Sequence, residues 1–317
     1  MSLPAGPFTP PMAAELGITR AQLRHLLAQG VIRRVLRGVY VDSDVPDTVP
    51  TRATAASLVV SAACVLCDRT AAWLHGVDVL VLAEHDLLPH LETFVRRSSP
   101  RLQRRGTNPG QRDLTEEDVM QIGPVCVTTP LRTALDLGCA LPRRDALAAL
   151  DMFMRRFGFT RDDLRRHAHR YFRRRGVRQL RRLITLADGR AESPGESWTR
   201  LEIVDANLPM PALQVSITRD GRELVRLDLA YPGLRICIEY DGEEFHDSPE
   251  SRAADEWRRQ WLREHGWIVI VVTKNDFTRE AATRWTEQLR RAIESRRVTV
   301  RLRPGRRHSP YTAISSD

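Results

Sequence analysis

The sequence feature that most constrains the fold is an acidic hairpin signal in the C-terminal part of the chain. Residues 225–231 and 234–241 each have the apolar-rich composition of a β-strand, and the dipeptide Pro232-Gly233 between them is a two-residue turn signal. The two segments are therefore predicted to pair as antiparallel strands.

A two-residue turn fixes which side chains lie opposite each other in this hairpin. It places Asp228 opposite Cys237 and Arg226 opposite Glu239. Because side chains alternate between the faces of a strand, Asp228, Glu239 and Asp241 are expected on one face, with Asp228 and Glu239 as diagonal neighbours. The other face is apolar and is predicted to point toward a core; its residues are Val225, Leu227, Leu229, Ile236 and Ile238. Adjacent carboxylates repel unless a cation lies between them, and hard oxygen ligands suit Mg²⁺ or Mn²⁺, so the hairpin predicts a divalent metal site.

The hairpin is part of an ordered series of motifs. The series consists of Ser193-Pro194-Gly195-Glu196-Ser197, Arg226-Leu227-Asp228-Leu229, Ile238-Glu239-Tyr240-Asp241-Gly242, His246, Asp255 with Arg258, and Gly266-Trp267. It resembles the PD-(D/E)XK nuclease superfamily, in particular a set of bacterial proteins related to very-short-patch-repair endonucleases. The resemblance implies an α/β restriction-endonuclease-like core, in which helices flank a mixed sheet.

The resemblance also implies a set of catalytic residues. Three acidic residues bind the metal in this superfamily, and the matching positions are Glu196, Asp228 and Glu239. Asp241 or His246 would then position water or carry protons, with Mg²⁺ or Mn²⁺ as the cofactor of an active enzyme. Such an enzyme would hydrolyse or nick DNA phosphodiester bonds.

One position departs from the superfamily pattern. The superfamily has a lysine two residues after the glutamate, where this chain has Asp241, and the single lysine of the chain is Lys274. Three interpretations are open. Lys274 reaches the site from a neighbouring strand, His246 assists the attacking water, or the site is degenerate and the protein is not an enzyme.

Each acidic residue also has a purely structural interpretation. Glu196 occupies the third helical position after a serine and could act only in a capping box. Glu239 could form an ordinary cross-strand ion pair with Arg226, and Asp241 could belong to a turn. Asp228 is harder to explain in this way, because a lone aspartate in an apolar strand needs a partner.

The N-terminal segment, residues 8–42, has the signals of a winged helix-turn-helix and is called the head below. A first short helix ends at Gly17, Thr19 and Gln22 form a capping box that opens a second helix, and a two-stranded basic wing follows. Arginines at the start of a helix suit the major groove, and a basic wing suits phosphates or the minor groove. The predicted DNA-contacting residues are Arg20, Gln22, Arg24, Arg33, Arg34 and Arg37. A small helical domain with a solvated basic face is the alternative.

The head resembles the N-terminal domain of AbiEi-type antitoxins. The likeness continues in residues 125–136, where a short strand leads into a helix opened by Thr129 and Pro130. The resemblance implies that the head binds its operator in double-stranded DNA and that the following domain neutralises a nucleotidyltransferase toxin. On this hypothesis the chain is a non-catalytic antitoxin and transcriptional autoregulator with a degenerate nuclease fold.

Composition limits the class of protein. The formal net charge of +9 and the pI of 10.0 are consistent with a polyanionic partner. The sequence shows neither a signal peptide nor an apolar run long enough to span a bilayer, and its five cysteines are an odd number. We therefore expect a cytoplasmic protein with no membrane partner.

These patterns together predict a multidomain α+β protein. The predicted parts are a winged helix-turn-helix domain at 1–48, a mostly helical antitoxin-like middle domain at 49–190, the nuclease-like domain at 191–295 and a basic disordered tail at 296–317. Nothing in the sequence predicts the oligomeric state.

Overall fold

The computed structural model describes residues 3–79, 90–96, 110–242, 249–302 and 312–315. The chain divides into two compact units, Met1–Ala140 and Leu141–Asp317, and each unit contains both helices and strands. The predicted boundaries after residues 48, 190 and 295 do not coincide with this division.

The first unit begins with the head. Its elements are α1 (Pro10–Glu15), α2 (Arg20–Ala28), β1 (Ile32–Leu36) and β2 (Val39–Asp42). Gly17 turns the chain after α1 with a left-handed φ of 78°, and Ile18, which is 2% exposed, packs beneath the turn. The predicted capping box forms: the Gln22 N–H donates to Thr19 Oγ1 (3.2 Å), and the Thr19 N–H donates to Gln22 Oε1 (2.8 Å). The predicted order of helix, turn, helix and wing is confirmed.

The rest of the first unit surrounds a five-stranded sheet. Its elements are α3 (Val49–Ser57), β3 (Val65–Leu66), α4 (Asp68–Leu74), β4 (Thr93–Arg96), β5 (Gly110–Arg112), β6 (Val119–Ile122), β7 (Val125–Thr128) and α5 (Pro130–Ala140). The strand order is β5-β4-β3-β7-β6, and β3 runs parallel to β7. Val35 and Val39 of the wing pack in the same apolar cluster as Leu66 and Val127 of this sheet. The wing therefore shares a core with the segment that follows it.

The prediction of a mostly helical middle segment is wrong for residues 49–140. Each strand of the sheet in this region is only two to four residues long. Such short strands show no alternation of apolar and polar residues that a sequence could reveal. The expected strand and helix around Thr129 and Pro130 are present as β7 and α5.

A buried ion-pair network lies inside the first unit. Arg112 bonds to Asp68 (2.6 Å) and Asp136 (2.9 Å), and Arg132 bonds to Asp136 (3.0 Å) and Asp118 (2.8 Å). The five side chains are at most 14% exposed. Because each buried charge has an opposite partner, the network has the arrangement that a structural role requires.

The second unit places helices against another five-stranded sheet. Its elements are α6 (Arg143–Phe157), α7 (Arg161–Ala168), α8 (Val177–Leu186), α9 (Pro194–Asp205), β8 (Ala212–Arg219), β9 (Arg222–Tyr231), β10 (Ile236–Asp241), α10 (Pro249–Glu264), β11 (Ile268–Thr273), α11 (Arg279–Leu302) and β12 (Thr312–Ser315). The strand order is β11-β10-β9-β8-β12, with β10 and β11 parallel and the other pairs antiparallel. This mixed sheet carries the acidic hairpin.

Helices α6 and α9 are joined by a buried aspartate. Asp151 of α6 has no exposed surface and accepts hydrogen bonds from Ser197 Oγ (2.6 Å) and from the Asp188 N–H (2.7 Å). It also forms an ion pair with Arg200 of α9, whose side chain is 1% exposed. The helical segment 141–188 and α9 are therefore parts of one folded unit.

The predicted hairpin forms, but its connection is longer than two residues. A 3₁₀ turn at Pro232–Leu234 and Arg235, which has a left-handed φ of 51°, join β9 to β10. Tyr231 consequently pairs with Ile236, two residues later than predicted. An arginine does not signal a left-handed conformation in a sequence, so the Pro-Gly pair alone suggested the shorter turn.

The longer connection changes the neighbours of the acidic residues. Cys237 pairs with Ala230 and not with Asp228, and the ladder ends one pair later. Asp228 and Glu239 are the next residues of their strands after the last pair, Leu229 and Ile238, so this register does not place them on the predicted diagonal. The predicted pairing of Arg226 with Glu239 is wrong for the same reason.

The single apolar face predicted for the hairpin is also wrong. One cluster contains Leu229, Ile236 and Ile238, and a second cluster contains Val225 and Leu227. The change occurs at Asp228, opposite which Gln214 of β8 has a left-handed φ of 49°. Ala230 and Cys237 of the same hairpin belong to the second cluster, so apolar side chains of the hairpin pack in two separate clusters instead of on one face.

The tail contributes regular structure at two places. Helix α11 continues to Leu302, and β12 pairs antiparallel with β8, so the prediction of a disordered segment at 296–317 is wrong for the described residues. Pairing with a sheet edge depends on backbone hydrogen bonds, which the basic composition of the tail does not reveal.

Candidate functional site

Three carboxylates that the sequence singled out meet at one end of the hairpin. Glu196 lies in the first turn of α9, Asp228 near the end of β9 and Glu239 in β10. The charges of Glu196 and Glu239 both act on Asp228 strongly enough to shift its pKa. We call these three residues the acidic cluster.

Glu196 is buried and its carboxylate is held by two donors. The Glu192 N–H (2.9 Å) and the Gln214 side-chain amide (3.0 Å) both donate to Oε2. Burial raises the pKa of Glu196, and these hydrogen bonds offset part of that effect. Ser193 Oγ accepts from the Glu196 N–H (3.2 Å), so the serine caps α9 as expected. The carboxylate itself bonds to Glu192 and Gln214, which a capping role alone does not explain.

Asp228 has the most perturbed carboxylate of the cluster. Its burial, followed by the negative charges of Glu196 and Glu239, raises its pKa to about 7. The Tyr240 N–H, which donates to Asp228 Oδ2 at 3.3 Å, opposes this shift. Asp228 therefore exchanges a proton near neutral pH.

Glu239 is 1% exposed and is contacted by two arginines of α10. Arg258 Nη2 lies 3.2 Å and Arg259 Nε 3.4 Å from Glu239 Oε2. The other oxygen, Oε1, is buried and has no hydrogen-bond partner among the described residues. Arg226, the cross-strand partner that the sequence suggested, forms an ion pair with Glu192 instead (3.2 Å).

Asp241, which occupies the position of the superfamily's lysine, is also bound by an arginine. Arg259 Nη2 donates to Asp241 Oδ2 at 2.6 Å. Burial opposes the charge of Arg259, but the hydrogen bond to Asp241 and the nearby carboxylates outweigh it and raise the pKa of Arg259. Lys274 lies on the exposed turn after β11, next to Thr273, the residue that pairs with Asp241. His246, another predicted catalytic residue, lies outside the described residues.

In this arrangement the acidic cluster does not fit a divalent ion. Among the described residues, no three histidine, cysteine, aspartate or glutamate side chains are placed to hold one metal. The positive charge beside Glu239 and Asp241 comes from Arg258 and Arg259. Sequence reasoning placed Arg258 in a motif without a role and missed Arg259 and Gln214, because only the folded chain brings these residues to the cluster.

The candidate DNA-contacting residues of the head fall into two groups. Arg20, Arg24, Arg34 and Arg37 are exposed. Gln22 uses its side-chain oxygen in the capping box, and Arg33 is half-buried and donates to the Val45 carbonyl (2.9 Å). The exposed group therefore consists of two arginines on α2 and two on the wing.

Comparison with known proteins places the chain in a family. Residues 5–41 match the family described as "Transcriptional regulator, AbiEi antitoxin", and residues 61–188 match the "AbiEi antitoxin C-terminal domain". Two proteins of Mycobacterium tuberculosis, the uncharacterized protein Rv2248 of strain H37Rv and the uncharacterized protein MT2308 of strain CDC 1551, are each 33% identical over 263 residues. Each alignment covers 83% of this chain and 93% of the mycobacterial protein. The chain belongs to the same family as these proteins, and it carries both AbiEi antitoxin regions.

The two AbiEi regions relate differently to the fold. The regulator region covers the head, from before α1 into β2. The C-terminal-domain region contains α4, α5 and α6 and continues across the division between the two compact units. It ends at residue 188, before Glu196, so the acidic cluster lies beyond both AbiEi regions. No helix in the described part of the chain is long and apolar enough to cross a membrane.

Proposed function

We propose that this protein is an AbiEi-type antitoxin that represses its own transcription. The observation that carries the proposal is that the AbiEi regulator region coincides with a helix-turn-helix and wing that expose four arginines. The second AbiEi region supports a second activity, the neutralisation of a nucleotidyltransferase toxin.

The head has the chemistry for binding duplex DNA. Arg20 and Arg24 lie on α2 one helical turn apart, so their guanidinium groups can contact neighbouring positions along a groove. Arg37 lies at the tip of the wing beside Gly38, whose left-handed φ of 81° allows the tight turn. Together with the net charge of +9, these groups supply both base contacts and phosphate contacts.

The DNA-binding proposal is tested with DNA from upstream of the gene and from an unrelated sequence. Removing Arg20 and Arg24 in Arg20→Ala/Arg24→Ala is expected to weaken operator binding by at least about tenfold, since a bidentate base contact contributes ~1–3 kcal/mol. Fluorescence anisotropy at several salt concentrations measures the effect. If both arginines contact phosphates instead, the slope of log K against log salt falls by about 2.

A matched control removes the same charge from the other compact unit. Arg222 and Arg284 are both exposed, so Arg222→Ala/Arg284→Ala changes the net charge equally. If Arg20→Ala/Arg24→Ala binds the operator as tightly as the control variant does, α2 is not the DNA-contacting helix. Co-expression with a candidate nucleotidyltransferase toxin tests the antitoxin activity separately, and the expected result is rescue of growth.

A metal-dependent endonuclease is a second candidate function. The observation that favours it is the proximity of Glu196 and Glu239 to Asp228, shown by their effect on the pKa of Asp228. In the arrangement described, Arg258 and Arg259 would have to leave Glu239 before these residues could act on a metal. A plasmid-nicking assay with Mg²⁺ and Mn²⁺ tests this candidate, and nicking equal in wild type and Asp228→Asn would exclude it.

A further inference from the structure

Two consecutive arginines of α10 converge on the same buried carboxylate. Arg258 and Arg259 both contact Glu239 Oε2, although neighbouring side chains on a helix usually point in directions about 100° apart. Arg259 continues to Asp241 (2.6 Å), and Arg258 also contacts Asp255 (3.6 Å). The two guanidinium groups therefore enclose one side of the acidic cluster.

The charge of these groups is permanent. A guanidinium stays protonated at every pH at which the protein is folded, unlike a lysine or histidine that can lose its proton on burial. The side chains of Arg258 and Arg259 are 28% and 15% exposed, so solvent screens their charge only partly. A divalent cation that approached Glu239 would be repelled by two fixed positive charges at short range.

The cluster nevertheless has unused capacity for a cation. Glu239 Oε1 is buried and has no hydrogen-bond partner among the described residues. An oxygen of a carboxylate in this condition needs a proton, a water molecule or a cation, because burying it without a partner is costly. Glu196 and Glu239 both lie close enough to Asp228 for their negative charges to raise its pKa, so the three carboxylates form one region of negative charge.

We propose that Arg258 and Arg259 take the place of a divalent cation at the acidic cluster. The intact protein then excludes Mg²⁺ and Mn²⁺ from Glu196, Asp228 and Glu239, and loss of both guanidinium groups opens a site for one ion. The inference goes beyond the antitoxin function, since it concerns residues outside both AbiEi regions.

The test measures binding of Mn²⁺ itself, without nucleic acid. Free and bound Mn²⁺ are distinguished by electron paramagnetic resonance in the full-length wild type, Asp228→Asn, Arg258→Gln/Arg259→Gln, and the triple variant that combines these three substitutions. The double variant is expected to bind Mn²⁺ more than about tenfold more tightly than wild type, because two adjacent positive charges are removed. The triple variant is expected to lose this gain.

Two additional variants separate charge from shape and folding. Arg258→Lys/Arg259→Lys keeps both charges at pH 7, because the neighbouring carboxylates favour the protonated ammonium groups, and is expected to exclude Mn²⁺ as the wild type does. Thermal unfolding monitored by circular dichroism shows which variants are folded, and Arg259→Gln alone replaces the double variant if that variant does not fold.

Three results would each overturn the proposal. In the first, the wild type binds Mn²⁺ and Asp228→Asn abolishes that binding. In the second, a folded variant without the arginines binds Mn²⁺ no more tightly than the wild type. In the third, the triple variant binds Mn²⁺ as tightly as Arg258→Gln/Arg259→Gln does. Operator binding by the head is measured on the same samples and is expected to be unchanged in all of them, so failure here is distinguishable from failure of the antitoxin function.

Discussion

Asp151→Ala is the substitution whose effect the structure specifies most fully. It removes the carboxylate that neutralises Arg200, which lies between α6 and α9 with 1% of its side chain exposed. The Ser197 hydroxyl and the Asp188 N–H lose their acceptor at the same time. Arg200 cannot become neutral by losing a proton. The variant must therefore either bury an unpaired positive charge or separate α6 from α9.

The expected cost follows from the kinds of contact that are lost. Leaving one partner of a buried ion pair without its counter-charge costs about 3–5 kcal/mol. Each lost hydrogen bond to a charged group adds to this, so we expect a value near the upper end, about 5 kcal/mol. Because a whole domain is stable by only about 5–15 kcal/mol, the second unit should be close to unfolding.

Urea denaturation followed by tryptophan fluorescence measures this change. The chain has six tryptophans, and only Trp73 lies in the first unit, so the signal reports mainly on the second unit. Trp198 is next to Ser197 on α9 and lies directly at the perturbed helix pair. The midpoint of the transition should fall while its slope stays the same.

The same two helices provide a matched control. Arg143 of α6 and Asp205 of α9 also form an ion pair, but their side chains are 43% and 39% exposed. Asp205→Ala should therefore change stability by no more than about 0.5 kcal/mol. If Asp151→Ala and Asp205→Ala differed by less than about 1 kcal/mol, burial would not govern this interface and the reasoning would be refuted.

The remaining predictions concern the acidic cluster and the residues that support it. In metal-free buffer, Asp228→Asn should stabilise the protein at pH 8 by roughly 2–4 kcal/mol and hardly at all near pH 4. The pKa of Asp228 is about 7 in the folded state and about 3.9 in the unfolded state. Wild-type stability therefore falls as pH rises from about 4 to about 7, and the asparagine variant does not show this loss. Equal effects in urea titrations at both pH values would contradict this. Gly195→Ala should cost ~1–3 kcal/mol, since its new Cβ would overlap the Tyr240 ring, whereas Gly233→Ala adds a Cβ with no atom within 4 Å and should be nearly neutral in the same assay.

Local signals were sufficient to predict the head. Gly17 before the turn and the Thr19–Gln22 capping box each act on backbone within a few residues. A short stretch of sequence is therefore enough to predict where the two helices end and begin. The hairpin was predicted for the same reason, through its apolar strands and its turn. Its register was not, because Arg235 adopts a left-handed conformation for which its residue type gives no signal.

The residues that surround the acidic cluster could be identified only in the folded chain. Glu196, Asp228 and Glu239 were identified from a motif, but their partners come from other parts of the sequence. Gln214 reaches Glu196 from β8, and Arg258 reaches Glu239 from α10. Hydrogen-bond partners that are distant in sequence decide whether a carboxylate is free to bind a metal, and a motif does not record them.

The packing of α6 against α9 crosses the end of the AbiEi C-terminal-domain region. The AbiEi C-terminal-domain region ends at residue 188, but Asp151 within it is neutralised by Arg200 beyond it. A fragment cut near residue 190 would leave Asp151 without its counter-charge Arg200 and without the Ser197 hydrogen bond. Helix α6 of this region therefore depends for part of its stability on α9, which lies beyond the region.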